Sequence, residues 1–250
     1  MIKNAIRKTS KPVIPYITAG LPGLDATGEI IRTLRDAGAA AIEIGLPFSD
    51  PMADGTVLQK ASHMALKKGF TLKGLMEHLG DWSSSIDIPL IVMSYMNPLM
   101  RSGMKETLTG FANRGIQGVI IPDLPSDARE IYEFCSVIGI DLIRLVAPTT
   151  TPARQAEVLS QCRGFVYAVS VKGVTGARQA LPEEVSSQVQ RIKTMTDLPV
   201  CVGFGISTAE QVTDMLGFAD GVIVGSYLME RIMNASDPAA VAREAFTRLM

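Results

Sequence analysis

One carboxylate in this chain interrupts an otherwise apolar run, AAIEIG at residues 40–45. If that run is a strand, side chains alternate between two faces, and Glu43 shares its face with two small neighbours, Ala41 and Gly45. The large aliphatic residues should face surrounding helices, so Glu43 should point into the interior. Burial raises a carboxyl pKa, which suits a general acid. Glu43 is therefore a candidate catalytic acid, and the alternative is a structural carboxylate paired with an interior cation such as Arg144.

A second carboxylate, Asp54, follows in the loop PFSDPMADG, which also contains Asp50. Two prolines and Gly55 indicate a loop rich in turns, where an aspartate commonly forms a turn or caps a helix. On local sequence, a turn former, a helix cap and a catalyst all stay open for Asp54. As a catalyst, it would form an acid/base pair with Glu43.

Three glycine-bearing turns lie later in the chain: GVTG at 173–176, GFGIS at 203–207 and GS at 225–226. Glycine lets backbone N–H groups approach an anion, and a helix N-terminus adds favourable potential. Ser226 could add a hydroxyl donor. The turns predict a phosphate site, although each could be only a tight turn.

Eight short apolar runs, each followed by an amphipathic stretch, organise the chain and would position these residues. They are VIPYIT (13–18), AAIEIG (40–45), PLIVMSY (89–95), GVIIPD (118–123), DLIRLVAP (141–148), GFVYAVS (164–170), PVCVGFG (199–205) and GVIVGS (221–226). Eight βα units of about 31 residues predict one (β/α)₈ barrel domain over 1–250, an α/β TIM barrel of the phosphate-binding type with its site on the loops after the strands. An open doubly wound sheet is the alternative, but the first turn, ITAGLPG, lacks the GxGxxG fingerprint.

Polar residues mark the starts of two helices. The spacing of apolar residues predicts helices over 126–138 and 208–217. Ser126 or Asp127 offers a capping oxygen to the first helix, and Thr208 offers one to the second.

Composition argues against several classes of function. The net charge is −1, from 24 basic and 25 acidic residues, so no general attraction to nucleic acid or to an anionic membrane is expected. No apolar run approaches the ~20 residues that span a bilayer, and the N-terminal stretch lacks the apolar core of a signal peptide. Scattered cysteines (Cys135, Cys162, Cys201) predict free thiols in a reducing cytoplasm. The two histidines, His63 and His78, form no metal cluster, so no metal is expected.

The stretch 170–184 is long for a βα loop and could close over the site as a lid. Tyr167 precedes it, near the end of the sixth apolar run. Its hydroxyl could bind a substrate or a carboxylate, or Tyr167 could be an ordinary core tyrosine.

The segments IEIGLPFSDPMADG, SVKGVTGAR, GFGIS and VGS together resemble the tryptophan synthase α-subunit family, and the likeness extends from 15–23 to 224–232. It implies a carbon–carbon lyase of L-tryptophan biosynthesis that cleaves indole-3-glycerol phosphate into indole and glyceraldehyde 3-phosphate by a cofactor-free retro-aldol reaction. It also implies a β-subunit partner that holds pyridoxal phosphate and receives indole through a tunnel, in an αββα heterotetramer.

The resemblance also assigns roles to residues. The two catalytic acids fall on Glu43 and Asp54, and the tyrosine supporting the second acid falls on Tyr167. The phosphate-binding positions fall on Gly176, Gly205, Gly225 and Ser226, and the lid threonine on Thr175. Indole-pocket positions fall on Phe204 and Tyr16, where Tyr16 replaces a more common Phe. Partner-facing positions fall on Asp50, Pro51, Asn97, Asp123 and Pro125.

Two departures from the family pattern affect what we expect. The first strand begins near residue 13, so the N-terminal helix should be short and the bottom of the barrel less covered. Val171 replaces an Arg of some relatives, which bears on lid closure.

Other functions stay open from the sequence. They are a free-standing lyase that releases indole, a catalytically weak subunit that activates its partner, and a different phosphate-binding barrel such as an isomerase. The two acids and three glycine turns argue against the weak subunit, and the partner-facing loops favour the complex.

Overall fold

Eight parallel strands form a closed barrel in the computed structural model, which describes residues 1–169, 180–203 and 205–250. The strands are β1 (Val13–Thr18), β2 (Ile42–Gly45), β3 (Leu90–Met93), β4 (Gly118–Ile120), β5 (Asp141–Val146), β6 (Val166–Val169), β7 (Val200–Gly203) and β8 (Gly221–Val224). Each strand pairs with the next, and β8 pairs with β1. The predicted barrel is confirmed and the open sheet is rejected. Most of the predicted lid over 170–184 lies outside the described residues.

Helices surround the barrel and alternate with its strands. They are α1 (Ile2–Lys8), α2 (Leu24–Asp36), α3 (Thr56–Lys67), α4 (Leu72–Ser84), α5 (Met96–Arg101), α6 (Met104–Ala112), α7 (Arg129–Val137), α8 (Pro152–Ser160), α9 (Ala180–Lys193), α10 (Ala209–Leu216), α11 (Ser226–Ile232) and α12 (Pro238–Thr247). In the part of the chain that the structure describes, no helix is both long enough and apolar enough to cross a membrane.

Of the two predicted helix starts, one is confirmed and one is wrong. Thr208 caps α10 in a capping box, accepting a hydrogen bond from the backbone of Gln211. The other helix, α7, begins later than predicted, with Ala128 at its N-cap and no side-chain cap. Ser126 is buried before that start, and its carbonyl accepts a hydrogen bond from Gln161, so tertiary packing sets its position.

Strand alternation divides the core into an interior cluster and a helix-facing layer. In β2 the aliphatic Ile42 and Ile44 belong to the helix-facing cluster, whereas Ala41 belongs to the cluster inside the barrel. This assignment confirms the predicted inward face of β2, on which Glu43 lies.

The N-terminal helix α1 fills the bottom of the barrel. Ile2 and Ile6 are fully buried and pack in the interior cluster. A Cβ added to Gly118 on β4 would lie only 2.6 Å from Cδ1 of Ile2, so this glycine makes room for the helix. The N-terminal helix is short, as expected, at seven residues, and its two buried isoleucines still close the bottom of the barrel.

Shortening Ile6 tests this closure. Ile6→Ala should lower the free energy of unfolding by about 2–5 kcal/mol, because it leaves a cavity in a close-packed interior. Urea unfolding followed by circular dichroism measures the change. Val137→Ala is the matched control, since Val137 is 84% exposed. Equal effects of the two substitutions would contradict a packed bottom.

Candidate active site

A cavity of about 330 Å³ opens at the carboxyl ends of the strands, a size typical of sites for small molecules. Both candidate acids, Glu43 and Asp54, line it, together with Tyr16 and Tyr167. Its apolar wall is formed by Leu58, Met93, Ile120, Leu145, Ile206 and Ile223. The barrel thus brings together residues from distant parts of the chain.

Glu43 is the most deeply buried acid of this site. It lies in β2, paired with Tyr16 on β1 and Ile91 on β3, and it is 1% exposed. Among the described residues, Oε2 of Glu43 has no hydrogen-bond partner, and no ion pair involves this side chain. Burial, and then the charge of Asp54, raise the pKa of Glu43 from 4.5 to about 8. Glu43 therefore carries a proton near neutral pH.

Arg144 does not neutralise Glu43. It lies on β5 next to Ile143, which faces the barrel interior, so Arg144 faces the helix layer. Its guanidinium donates hydrogen bonds to the carbonyls of Leu124 and Pro125, at 3.2 and 2.9 Å. Within the described residues, the alternative of an interior ion pair between Glu43 and Arg144 or another cation is thus excluded.

Asp54 lies in the loop between β2 and α3 and is partly buried. It is not a helix cap, because α3 has Gly55 at its N-cap and no side chain caps it. Burial raises the pKa of Asp54 to about 6, and a hydrogen bond from the Tyr95 hydroxyl opposes that rise. Asp54 is therefore mostly ionised at pH 7, so the cavity contains one protonated and one ionised carboxyl group.

The side chains of Tyr16 and Tyr167 each contact a glycine on the neighbouring strand and occupy the space where a Cβ atom would be. A Cβ on Gly45 of β2 would lie 1.9 Å from Oη of Tyr16, and one on Gly203 of β7 would lie 2.4 Å from Oη of Tyr167. Any larger residue at either glycine would displace the tyrosine beside it. Both hydroxyl groups are desolvated, and the charges of Glu43 and Asp54 further raise their pKa.

Three of the four predicted phosphate residues, Gly205, Gly225 and Ser226, line the same cavity. Gly205 has a positive φ of 70°, which glycine adopts without strain. Gly225 is the N-cap of α11, and Ser226 is its first residue, so the amino end of this helix faces the site. The predicted Gly176, Thr175 and Phe204 lie outside the described residues.

The predicted partner-facing residues follow β2, β3 and β4, which are neighbours in the barrel. Four of them are exposed and Pro51 is buried; the exposed ones are Asp50, Asn97, Asp123 and Pro125. Two exposed methionines, Met52 and Met100, lie in the same segments. One side of the rim therefore combines polar and apolar exposed groups.

Sequence reasoning missed Tyr95, the residue whose hydroxyl contacts Asp54. Tyr95 is the second residue after β3, in the region where barrel enzymes place functional residues, and this position is the signal that was available. In residues 1–169, 180–203 and 205–250, no three His, Cys, Asp or Glu side chains form a group able to hold a metal ion.

Known proteins resemble this chain along its whole length. A family model described as tryptophan synthase alpha chain matches residues 2–249. A tryptophan synthase alpha chain of Carboxydothermus hydrogenoformans is 47% identical over 225 residues, covering 90% of this chain and 84% of that protein.

Solved structures agree with this match. The tryptophan synthase A-subunit of Pyrococcus furiosus superimposes with a TM-score of 0.88 at 34% identity, covering 96% of this chain and 97% of that one. A chain of the tryptophan synthase complex from the same organism superimposes with a TM-score of 0.87 at 33% identity. The match covers 95% of this chain and 97% of that one.

The raised pKa of Glu43 predicts how stability depends on pH. In the folded state Glu43 holds its proton to about pH 8, whereas the unfolded group loses it near 4.5. Ionisation therefore costs stability as pH rises through this window, by at most about 1.4 kcal/mol per pH unit. The glutamine of Glu43→Gln cannot ionise. The free energy of unfolding of this variant, relative to that of the wild type, should therefore increase as the pH rises from 5 to 8.

Urea unfolding at several pH values measures this difference. Glu230→Gln, at an exposed position, is the control. A stability difference between Glu43→Gln and wild type that does not change with pH would show that Glu43 has an ordinary pKa.

Proposed function

The chain belongs to the tryptophan synthase alpha chain family, and from that premise we propose which of its residues perform the family's reaction. This family consists of lyases that cleave indole-3-glycerol phosphate in tryptophan biosynthesis. The observation that carries the proposal is that Glu43 and Asp54 line one cavity, where burial raises the pKa of Glu43 to about 8 and that of Asp54 to about 6.

Glu43 is proposed as the acid and then the base. As an acid, it gives its proton to indole C3, which turns the ring into an electron sink. The resulting carboxylate then takes the proton of the side-chain hydroxyl. The O–H electrons form the aldehyde C=O bond, and the pair of the broken C–C bond returns to the ring. Indole and glyceraldehyde 3-phosphate leave, and Glu43 has recovered its proton, so no cofactor is required in this chain.

Asp54 is proposed to stabilise the positive charge that develops on the indole ring nitrogen. An ionised carboxylate acts most strongly where water is excluded, and the apolar wall provides such surroundings. Tyr16 and Phe204 would bound the indole ring. Tyr167 would support Asp54, and Thr175 would be the lid threonine.

The phosphate of the substrate is proposed to bind at the part of the cavity that is lined by Gly205, Gly225 and Ser226. Gly205 and Gly225 leave room for close backbone approach, and the first N–H groups of α11 have no partners within that helix. The Ser226 hydroxyl would donate one further hydrogen bond, and Gly176 would complete the site. Backbone donors explain how a chain of net charge −1 can bind an anion.

The rim formed by Asp50, Pro51, Asn97, Asp123 and Pro125 is proposed to bind a β subunit, in an αββα heterotetramer. The family name and the Pyrococcus furiosus complex support a partner of this kind. Pyridoxal phosphate would belong to that partner, which would receive the released indole. Exposed Met52 and Met100 supply the apolar contacts that an interface requires.

The reaction is proposed to take place in the cytoplasm. The three cysteines are buried free thiols, which suits a reducing compartment.

Removing either acid should stop the reaction. Glu43→Gln and Asp54→Asn should each lower kcat by roughly 10²–10⁴-fold with little change in KM, because shape is kept while proton transfer or charge stabilisation is lost. Indole release, measured with and without a β subunit, reports both activity and dependence on the partner.

Glu230→Gln and Asp214→Asn, at exposed positions, are the matched controls. A near-normal kcat for either active-site variant would remove that residue from the mechanism. Full activity of the wild type without the partner would favour a free-standing lyase.

Glycerol phosphate should inhibit competitively, raising the apparent KM without changing kcat, because it would occupy the glycine-lined end of the cavity. Ser226→Ala should weaken that inhibition about 3- to 10-fold, the loss expected from one hydrogen bond. Steady-state kinetics measure both effects, and Ser160→Ala on an exposed helix face is the control. Lack of competition would place the phosphate elsewhere.

A further inference from the structure

Tyr95 contacts Asp54 but does not itself line the cavity. It is 4% exposed and lies between β3 and α5. Its hydroxyl oxygen accepts a hydrogen bond from the backbone N–H of Ala53, at 3.0 Å. Since that N–H occupies an acceptor position, the phenolic proton remains available for the neighbouring carboxylate of Asp54. A single side-chain oxygen therefore contacts two consecutive residues of the catalytic loop.

The ring of Tyr95 is itself held in place by neighbouring loops. It packs on Phe48, near the start of the loop between β2 and α3 that also carries Asp54, and the two ring centroids are 5.4 Å apart. The next residue, Met96, donates its backbone N–H to Asp123 in the loop after β4, at 2.9 Å. The segment that carries the hydroxyl is thus anchored to the loops on both sides of β3.

From this geometry we propose that Tyr95 is a positioning residue for the known reaction, which holds the Asp54 carboxylate toward the cavity and keeps it ionised. The inference rests on the proposed role of Asp54. It goes beyond that role because Tyr95 would act through Asp54 without touching the substrate.

The groups around Asp54 explain why such support is needed. The titratable side chains that face it are Glu43 on β2, Tyr16 on β1, Tyr167 on β6 and Tyr95 itself. No cation is among these groups in the part of the chain that the structure describes, so ionised Asp54 relies there on hydrogen bonds. The loop also needs an anchor, because Ala53 and Gly55 on either side of Asp54 are exposed.

Tyr95→Phe keeps the ring and removes both hydrogen bonds of the hydroxyl. We expect kcat to fall about 10- to 100-fold near neutral pH with little change in KM, because a hydrogen bond to a charged group is lost from the transition state. The acidic limb of the pH profile of kcat should move to higher pH, because the hydrogen bond no longer opposes the raised pKa of Asp54. A loss of packing that left the Tyr95 hydroxyl bonded to Asp54 would not move this limb.

A double-mutant cycle shows whether Tyr95 acts through Asp54. In the Asp54→Asn background, Tyr95→Phe should cause no further loss of kcat. Tyr132→Phe, which removes a hydroxyl from a tyrosine on α7, is the matched control and should leave the profile unchanged. Each variant is assayed as a complex with the β subunit.

The outcomes separate this inference from the proposed function. A wild-type kcat and pH profile for Tyr95→Phe would overturn the positioning role, as would an equal loss in the Asp54→Asn background. Normal activity of Asp54→Asn would instead remove the catalytic role of Asp54. Should Tyr95→Phe not fold, Phe48→Leu decides: it keeps the hydroxyl but loosens the ring, so the acidic limb should still move upward, and an unmoved limb would overturn the inference.

Discussion

The burial of one carboxyl group that no described cation neutralises is the constraint on which the rest of the site depends. A carboxylate inside a low-dielectric interior costs several kcal/mol, so the folded chain keeps Glu43 protonated instead. That state requires a closed barrel, since an open sheet edge would admit water or a cation. It also requires small neighbours on the same face, and Gly45 leaves the space that the Tyr16 hydroxyl occupies.

Different surroundings suit the two carboxyl groups to the different tasks that are proposed for them. Glu43 is fixed in the middle of a strand, and its pKa of about 8 makes it a proton donor at neutral pH. Asp54 lies in a loop, and its pKa of about 6 leaves it mostly ionised. The Tyr95 hydroxyl accounts for part of this difference, because its hydrogen bond stabilises the charged form of Asp54 more than the neutral form. Two chemically similar side chains can therefore act as proton carrier and charge stabiliser on one substrate.

The loop between β2 and α3 connects the cavity with the outer rim. Asp54 faces the cavity, while Asp50 and Met52 a few residues earlier are exposed. The ring contact between Phe48 and Tyr95 ties the start of this loop to the segment after β3. Arg144 similarly fixes the carbonyls of Leu124 and Pro125 in the loop after β4. The rim is thus shaped by buried contacts that lie outside the catalytic cavity.

The sequence by itself determined the barrel, the inward face of Glu43 and the capping of α10 by Thr208, because each follows from local periodicity or a local hydrogen bond. Only the tertiary structure decided the partner of Asp54, the outward direction of Arg144 and the late start of α7. These depend on which segments meet across the barrel. Tyr95 and Asp54 are 41 positions apart in the sequence, and only the closed arrangement of parallel strands places their loops side by side.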